Sequence, residues 1–147
     1  MPIDSVLWPG HPATDEQIAE FEKTEGITLP ADYRAFLQIH NGGRPLPDSF
    51  PIGSDNGSLL NTFFELGEGE GETNDLQTKC DRYHGRIPHT MIPIGCDAGN
   101  NIILLGVHGE VWGRVYFLDQ MNPRPIFEIA PSFTAFLDSF EPPPKAE

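Results

Sequence analysis

Apolar positions recur along this chain with two periods, one helical and one of strand type. Thr14 followed by Gln17 makes a capping box, and the helix it opens spans residues 15–25 with Ile18 and Phe21 on one side. Gly26 closes it, because glycine takes the left-handed conformation without strain. A second helix spans 30–40. Pro30 sits in its first turn, where a missing N–H costs nothing, and Tyr33, Phe36, Leu37 and His40 line one face. Asn41-Gly42-Gly43 stops it with residues that accept positive φ, a structural role rather than a catalytic one. Residues 43–57 read as a loop with a short strand near Ile52.

Alternation takes over next. Residues 59–66 predict a strand, with Phe63, Phe64 and Leu66 set among Asn61, Thr62 and Glu65. After a Gly/Glu loop, a third helix over 75–84 is capped by Thr73 or Asn74, carries Leu76, Cys80 and Tyr83 on one face, and ends at Gly85. Three strands follow at 91–94, 102–107 and 111–118, the last two joined by a tight hairpin at His108-Gly109, and a fourth at 125–129. Ser132 caps a final helix bearing Phe133, Phe136, Leu137 and Phe140. Consecutive strands on short turns make an antiparallel sheet, so the expected class is α+β: one domain over 1–140, mainly antiparallel sheet with helices packed on one side. The Pro-rich residues 141–147 are expected to be a disordered tail. Phe21, Tyr33, Phe36, Leu37, Ile94, Val115, Phe117, Phe136 and Phe140 are the predicted core.

Composition sharpens this picture. With 15 Gly and 15 Pro in 147 residues, the chain suits short elements and many turns better than a helical bundle. The opening Met1-Pro2-Ile3-Asp4 lacks the basic and apolar regions of a signal peptide. No stretch approaches the ~20 apolar residues of a membrane span, so a cytoplasmic protein is expected. Cys80 and Cys96 fit a reducing compartment; Cys80 reads as a small buried apolar residue, and a disulfide between the two has no support from spacing.

The net charge of −13 argues against direct nucleic-acid binding and favours either a basic protein partner or simple solubility. The charge is uneven. Between Arg44 and Lys79 there is no Lys or Arg, while Asp48, Asp55, Glu65, Glu68, Glu70, Glu72 and Asp75 all fall there. The segment holding Glu65, Glu68, Glu70, Glu72 and Asp75 is therefore the candidate partner-binding site, its glutamates held exposed by intervening glycines.

Enzymatic motifs fare poorly. Gly67-x-Gly69 matches half of a dinucleotide fingerprint, but Glu72 replaces its third glycine and the loop would repel a pyrophosphate. Asp97-x-Gly99-x-Asn101 lacks the later ligands of a calcium loop and reads better as a β-turn, with Gly99 and Asn100 in unusual φ. His11, His40, His84, His89 and His108 make no zinc-type pair, and no G-x-S-x-G elbow exists. Trp8 and Trp112 read as core or edge aromatics rather than a ligand cage. No metal or cofactor is expected. The competing enzyme reading is a small hydrolase using carboxylates near Asp97 and Asp119.

Two blocks of the chain resemble a known family. The helix with Ile18, Phe21 and Glu22, followed by Leu29-Pro30-x-Asp32-Tyr33-x-x-Phe36-Leu37 and Asn41-Gly42-Gly43, is similar to the signature of the SUKH superfamily. Pro93-Ile94-Gly95, Asp97, Asn101, the strand from Ile102, and Gly113-x-Val115-Tyr116-Phe117-x-Asp119 resemble its second block, with Asn100-Asn101 where many members have Gly-Asn. The resemblance covers residues 14–140. It implies an α+β fold and a binding role without catalysis. Bacterial members are often immunity proteins that neutralise a toxin, frequently a nuclease; fungal members are adaptors in cell-wall-synthesis signalling. With the compact single domain favouring the bacterial type and the acidic charge suiting a basic target, the expectation is a bacterial immunity protein for a basic toxin domain, the alternative being a regulatory or scaffold module for a cellular protein.

Overall fold

The computed structural model describes residues 5–52, 55–67, 74–121 and 125–142. Eight strands and four helices follow one another as β1 (Ser5–Leu7), α1 (Asp15–Glu25), α2 (Ala31–Ile39), β2 (Arg44–Leu46), β3 (Ser49–Ile52), β4 (Asp55–Phe63), α3 (Leu76–Tyr83), β5 (Met91–Asp97), β6 (Ile102–Gly106), β7 (Val115–Leu118), β8 (Ile126–Ala130) and α4 (Phe133–Asp138). Six strands form one antiparallel sheet in the order β3-β4-β5-β6-β7-β8, and β1 pairs with β2 in a separate ribbon. This is the α+β class expected from the alternating pattern.

Side-chain hydrogen bonds tie the helices into one layer. Gln77 of α3 donates to Glu25 of α1 at 2.8 Å, Arg34 of α2 pairs with Glu22 of α1 at 2.6 Å, and Thr134 of α4 donates twice to Asp32 of α2 at 2.9 Å. The layer therefore runs α3, α1, α2, α4. Beneath it lies an aromatic cluster in which Phe36, Phe63 and Phe133 meet at 4.9–5.8 Å between centroids and Phe136 joins Phe50 and Phe140 at 5.3 and 4.9 Å. Edge-on rings of this kind add to the gain from burial. All nine predicted core residues are buried. β5 and β6 are buried along their whole lengths, which is why their sequence reads as near-continuous apolar runs. Gly95 sits in β5 because the Phe63 ring lies over it: a Cβ there would stand 3.2 Å from that ring and 2.9 Å from the Thr62 carbonyl.

The caps follow the sequence closely. The Thr14/Gln17 box is formed, Gly26 takes φ 68°, and Ser132 accepts from the Ala135 amide. Asn41, Gly42 and Gly43 all have positive φ.

Several boundaries differ. Pro30 is the residue before α2 rather than part of its first turn. α3 is capped by Asp75, not Thr73 or Asn74, because the Asp75 carboxylate reaches the Thr78 amide. The strand read at 59–66 is β4, which ends at Phe63; beyond it the backbone turns to meet Asp75. The tight hairpin at His108-Gly109 is a wider connection. A 3-10 turn, Gly109–Val111, folds back on Gly106, where a Cβ would lie 1.8 Å from the Val111 carbonyl, and β7 starts only at Val115. In the β5–β6 turn Asn100 takes positive φ and Gly99 does not. Trp8 is 78% exposed, and Trp112 is an edge aromatic, 47% exposed, donating to the Thr28 carbonyl at 2.9 Å. Of the 141–147 segment, Glu141 bridges Ser49 in antiparallel fashion, and residues 143–147 lie outside the described part.

Candidate functional site

The acidic segment begins and ends at one place. The Glu65 amide donates to the Asn74 carbonyl at 2.9 Å and the Leu76 amide donates to the Glu65 carbonyl at 2.8 Å, so Glu65 and Asp75 form a parallel bridge. The excursion between them is thus closed at its base. Glu68, Glu70 and Glu72 fall within residues 68–73, outside the described part of the structure. The base is anchored by Asn41, which is buried: its side-chain amide donates to the carbonyls of His11 and Leu66, at 2.6 and 2.8 Å, and its oxygen accepts from the Leu66 amide at 2.8 Å. This explains why Asn opens the Asn41-Gly42-Gly43 run. One side chain satisfies three backbone groups of two other segments, while Gly42 leaves room for the Glu65 backbone 3.2 Å from where its Cβ would be.

Glu65 and Asp75 adjoin two different hollows. Asp75 is buried and accepts from the Thr78 amide and hydroxyl at 3.0 and 2.9 Å. It lines a groove of about 700 Å³ between α1 and α3. The α1 wall carries Glu16, Gln17, Glu20, Phe21 and Thr24, which share a helical stripe; the α3 wall carries Gln77, Thr78 and Asp81; Leu66 and Gly67 complete the lining. Among the described residues, four acids and no Lys or Arg line it. Phe21 and Leu66 are buried, while Glu16, Glu20 and Asp81 are exposed. Gln77 offers its amide to both Glu25 and Asp81, at 2.8 and 3.2 Å, bridging the two walls. Glu65 instead lines a smaller hollow with Trp8, Arg44 and Asn74. Burial holds its carboxyl above the usual carboxylate range, with His11 opposing and Asp75 adding to the rise.

The groove beside the acidic segment is not apparent from the order of residues along the chain. Glu16, Glu20 and Asp81 are ordinary surface acids when read along the chain. The available signal was the i,i+4 repeat of Glu16 and Glu20, a like-charge spacing that costs an isolated helix a little stability.

The catalytic alternatives find other employment here. The Asp97 carboxylate is buried and accepts from the Ser58 hydroxyl, the Gly99 and Asn101 amides and the Asn101 side chain, at 2.7–3.2 Å, which builds the β5–β6 turn. Asp119 accepts from the Met121 amide at 3.0 Å in another turn. Cys80 and Cys96 are free and buried, and burial raises both thiols. Among the described residues, no cluster of three or more His, Cys, Asp or Glu is placed to hold a metal ion, and no helix is long and apolar enough to cross a membrane.

Comparison with known proteins gives a consistent result. The SMI1 / KNR4 family (SUKH-1) matches residues 12–139. The chain is also 31% identical to the SPbeta prophage-derived uncharacterized protein YokK of Bacillus subtilis (strain 168), over an alignment of 147 positions that covers 86% of this chain and 73% of that protein.

Proposed function

This chain belongs to the SMI1 / KNR4 family (SUKH-1), and from that premise we propose that it is a non-catalytic binding domain of immunity type, which neutralises a toxin by occupying a basic surface on it. Family membership supports a binding role, since the family includes immunity proteins. Similarity to a protein of prophage origin in a bacterium favours the bacterial branch over the fungal adaptors. The observation that carries the reading is the α1–α3 groove, lined by four acidic residues and, among the described residues, by no Lys or Arg. Within the acidic segment, Leu66, Gly67 and Asp75 line it.

Such a surface suits a basic cleft of the nuclease kind. Carboxylates occupy the positions that nucleic-acid phosphates would take, and opposite charge speeds encounter. Phe21 and Leu66, both buried in the core, back the groove and hold its charged lining in place.

The test is to clone any toxin-like domain encoded beside the gene and co-express it with this chain. The wild-type chain should restore growth and form an isolable complex. Replacing Glu68, Glu70 and Glu72 with Gln should slow association, and the defect should shrink as salt screens charge beyond about 8–10 Å. Failure to protect, together with no binding to that domain, would overturn the immunity reading in favour of a scaffold role.

A further inference from the structure

The chain keeps a tryptophan in the open at a conformational cost. Trp8 is 78% exposed and has φ +50°, a left-handed conformation that bulky residues avoid. Its neighbours impose it. Leu7 is fixed by pairing with Arg44, and the Gly10 amide is fixed on the Asn41 carbonyl at 3.0 Å, so Trp8 and Pro9 must span the gap between two anchored points. Pro9 further disfavours right-handed helical backbone at the residue before it. A strained, exposed Trp held by its surroundings is a feature that folding alone does not select.

Trp8 forms one wall of the hollow of about 310 Å³ that also contains Glu65, with Asn61, Thr62, Asn74 and Arg44 completing the rim. The charges in it are unequal. The Arg44 guanidinium is bound by Asp48 through two nitrogens, at 3.0 and 2.5 Å. Among the described residues, nothing hydrogen-bonds or ion-pairs the Glu65 carboxylate. The hollow thus offers an aromatic side chain, a carboxylate with no hydrogen bond or ion pair among the described residues and only His11 as an opposing charge, and amide side chains around them. That set is complementary to a guanidinium, which stacks on indole through its plane and donates from its edge to a carboxylate.

We propose that Trp8 and Glu65 form an anchor pocket for one arginine side chain of a partner protein. The proposal rests on the reading of a basic partner and deepens it, setting one anchor beside the diffuse charge of the groove. Exposed tryptophans that fill or flank a pocket are the usual sites of concentrated binding energy.

The test titrates the ¹⁵N-labelled full chain with acetyl-Gly-Arg-Gly-amide and with its uncharged citrulline counterpart. The Trp8 indole N–H and the amides of Asn61, Thr62 and Asn74 should shift saturably with the arginine peptide and at least fivefold less with the citrulline one. Trp8→Gly should abolish the response while melting at or above the wild-type temperature, because Gly relieves the left-handed strain; Trp8→Asn, which also tolerates positive φ, is the second variant. Glu65→Gln should weaken the arginine peptide about tenfold. Equal response to both peptides, shifts confined to the α1–α3 groove, or an unchanged response in Trp8→Gly would overturn the pocket. In the toxin assay, wild-type affinity of Trp8→Gly alongside a defect in the Glu68/Glu70/Glu72 triple variant would remove the anchor and leave the immunity reading standing. An arginine response at Trp8 without toxin binding would retain the pocket and remove the immunity reading.

Discussion

Where α2 and α4 meet the sheet, Tyr33, Phe36, Phe63, Phe133 and Phe136 pack ring against ring. Where α1 meets α3, the facing stripes carry Glu16, Glu20, Gln77 and Asp81 around a groove. Both lie in one helical layer, yet they obey different physics. The aromatic flank gains by excluding water and is sensitive to shape. The acidic flank keeps its carboxylates hydrated and, apart from Asp75 and the Gln77 bridge, uses them little within the chain. Substitutions should therefore separate the two flanks, stability responding on one and association on the other.

The largest effect is expected at the centre of the aromatic flank. Phe36→Ala removes contacts with Phe63, Phe133 and His40 and should cost about 3–5 kcal/mol in denaturant unfolding. A loss below about 1 kcal/mol would mean that the cluster is not the source of cohesion on that side.

Gly42→Val should come next, and it tests the joint between the flanks. The position has φ +96°, and a Cβ would approach the Glu65 side chain and backbone at 3.1–3.3 Å. Strain and overpacking together should cost about 1–3 kcal/mol. Partner binding should fall only in proportion to the unfolded fraction; binding lost in a fully folded variant would place the turn in the interface.

On the acidic flank, the triple variant Glu16→Gln, Glu20→Gln, Asp81→Asn should leave unfolding within about 0.5 kcal/mol of wild type. Its association rate with a basic partner should drop, the more so at low salt. A matching loss of stability would show that these carboxylates serve the fold after all.

The smallest effect sharpens the comparison from inside the core. The Tyr33 hydroxyl is buried and, among the described residues, has no hydrogen-bond partner. Tyr33→Phe should be neutral or stabilising by up to about 1 kcal/mol. Burial also raises the Tyr33 phenol well above its ordinary value. The unfolded chain therefore releases this proton first as pH climbs past about 10, and stability falls there. The Phe variant should lose less stability than wild type between neutral pH and pH 11, as followed by circular dichroism.

Much of this division was legible along the chain. Helical spacing marked Phe36 and Phe136 as buried, and Thr14, Gly26 and Ser132 marked helix ends, because capping and amphipathic periods are local. Asp75 shows where local reading stops: with Thr73 and Asn74 beside it, the choice of cap depended on how the Glu65–Asp75 bridge sets the backbone. The His108-Gly109 hairpin failed for a similar reason, since Gly106 admits the Val111 carbonyl and so lets a longer connection fold back.

The sequence by itself determined the class of fold, the residues of the core, the family and the uneven charge, all of which depend on composition and short-range order. Only the tertiary structure decided which acids share a space. Glu16 and Glu20 lie far along the chain from Asp75 and Asp81 and meet them because two helices align side by side, whereas Glu65, which pairs with Asp75 through the backbone, lines the Trp8 hollow instead. Placement of that kind follows from packing the aromatic core and closing the Asn41 network, whose contacts join residues 25 to 30 positions apart.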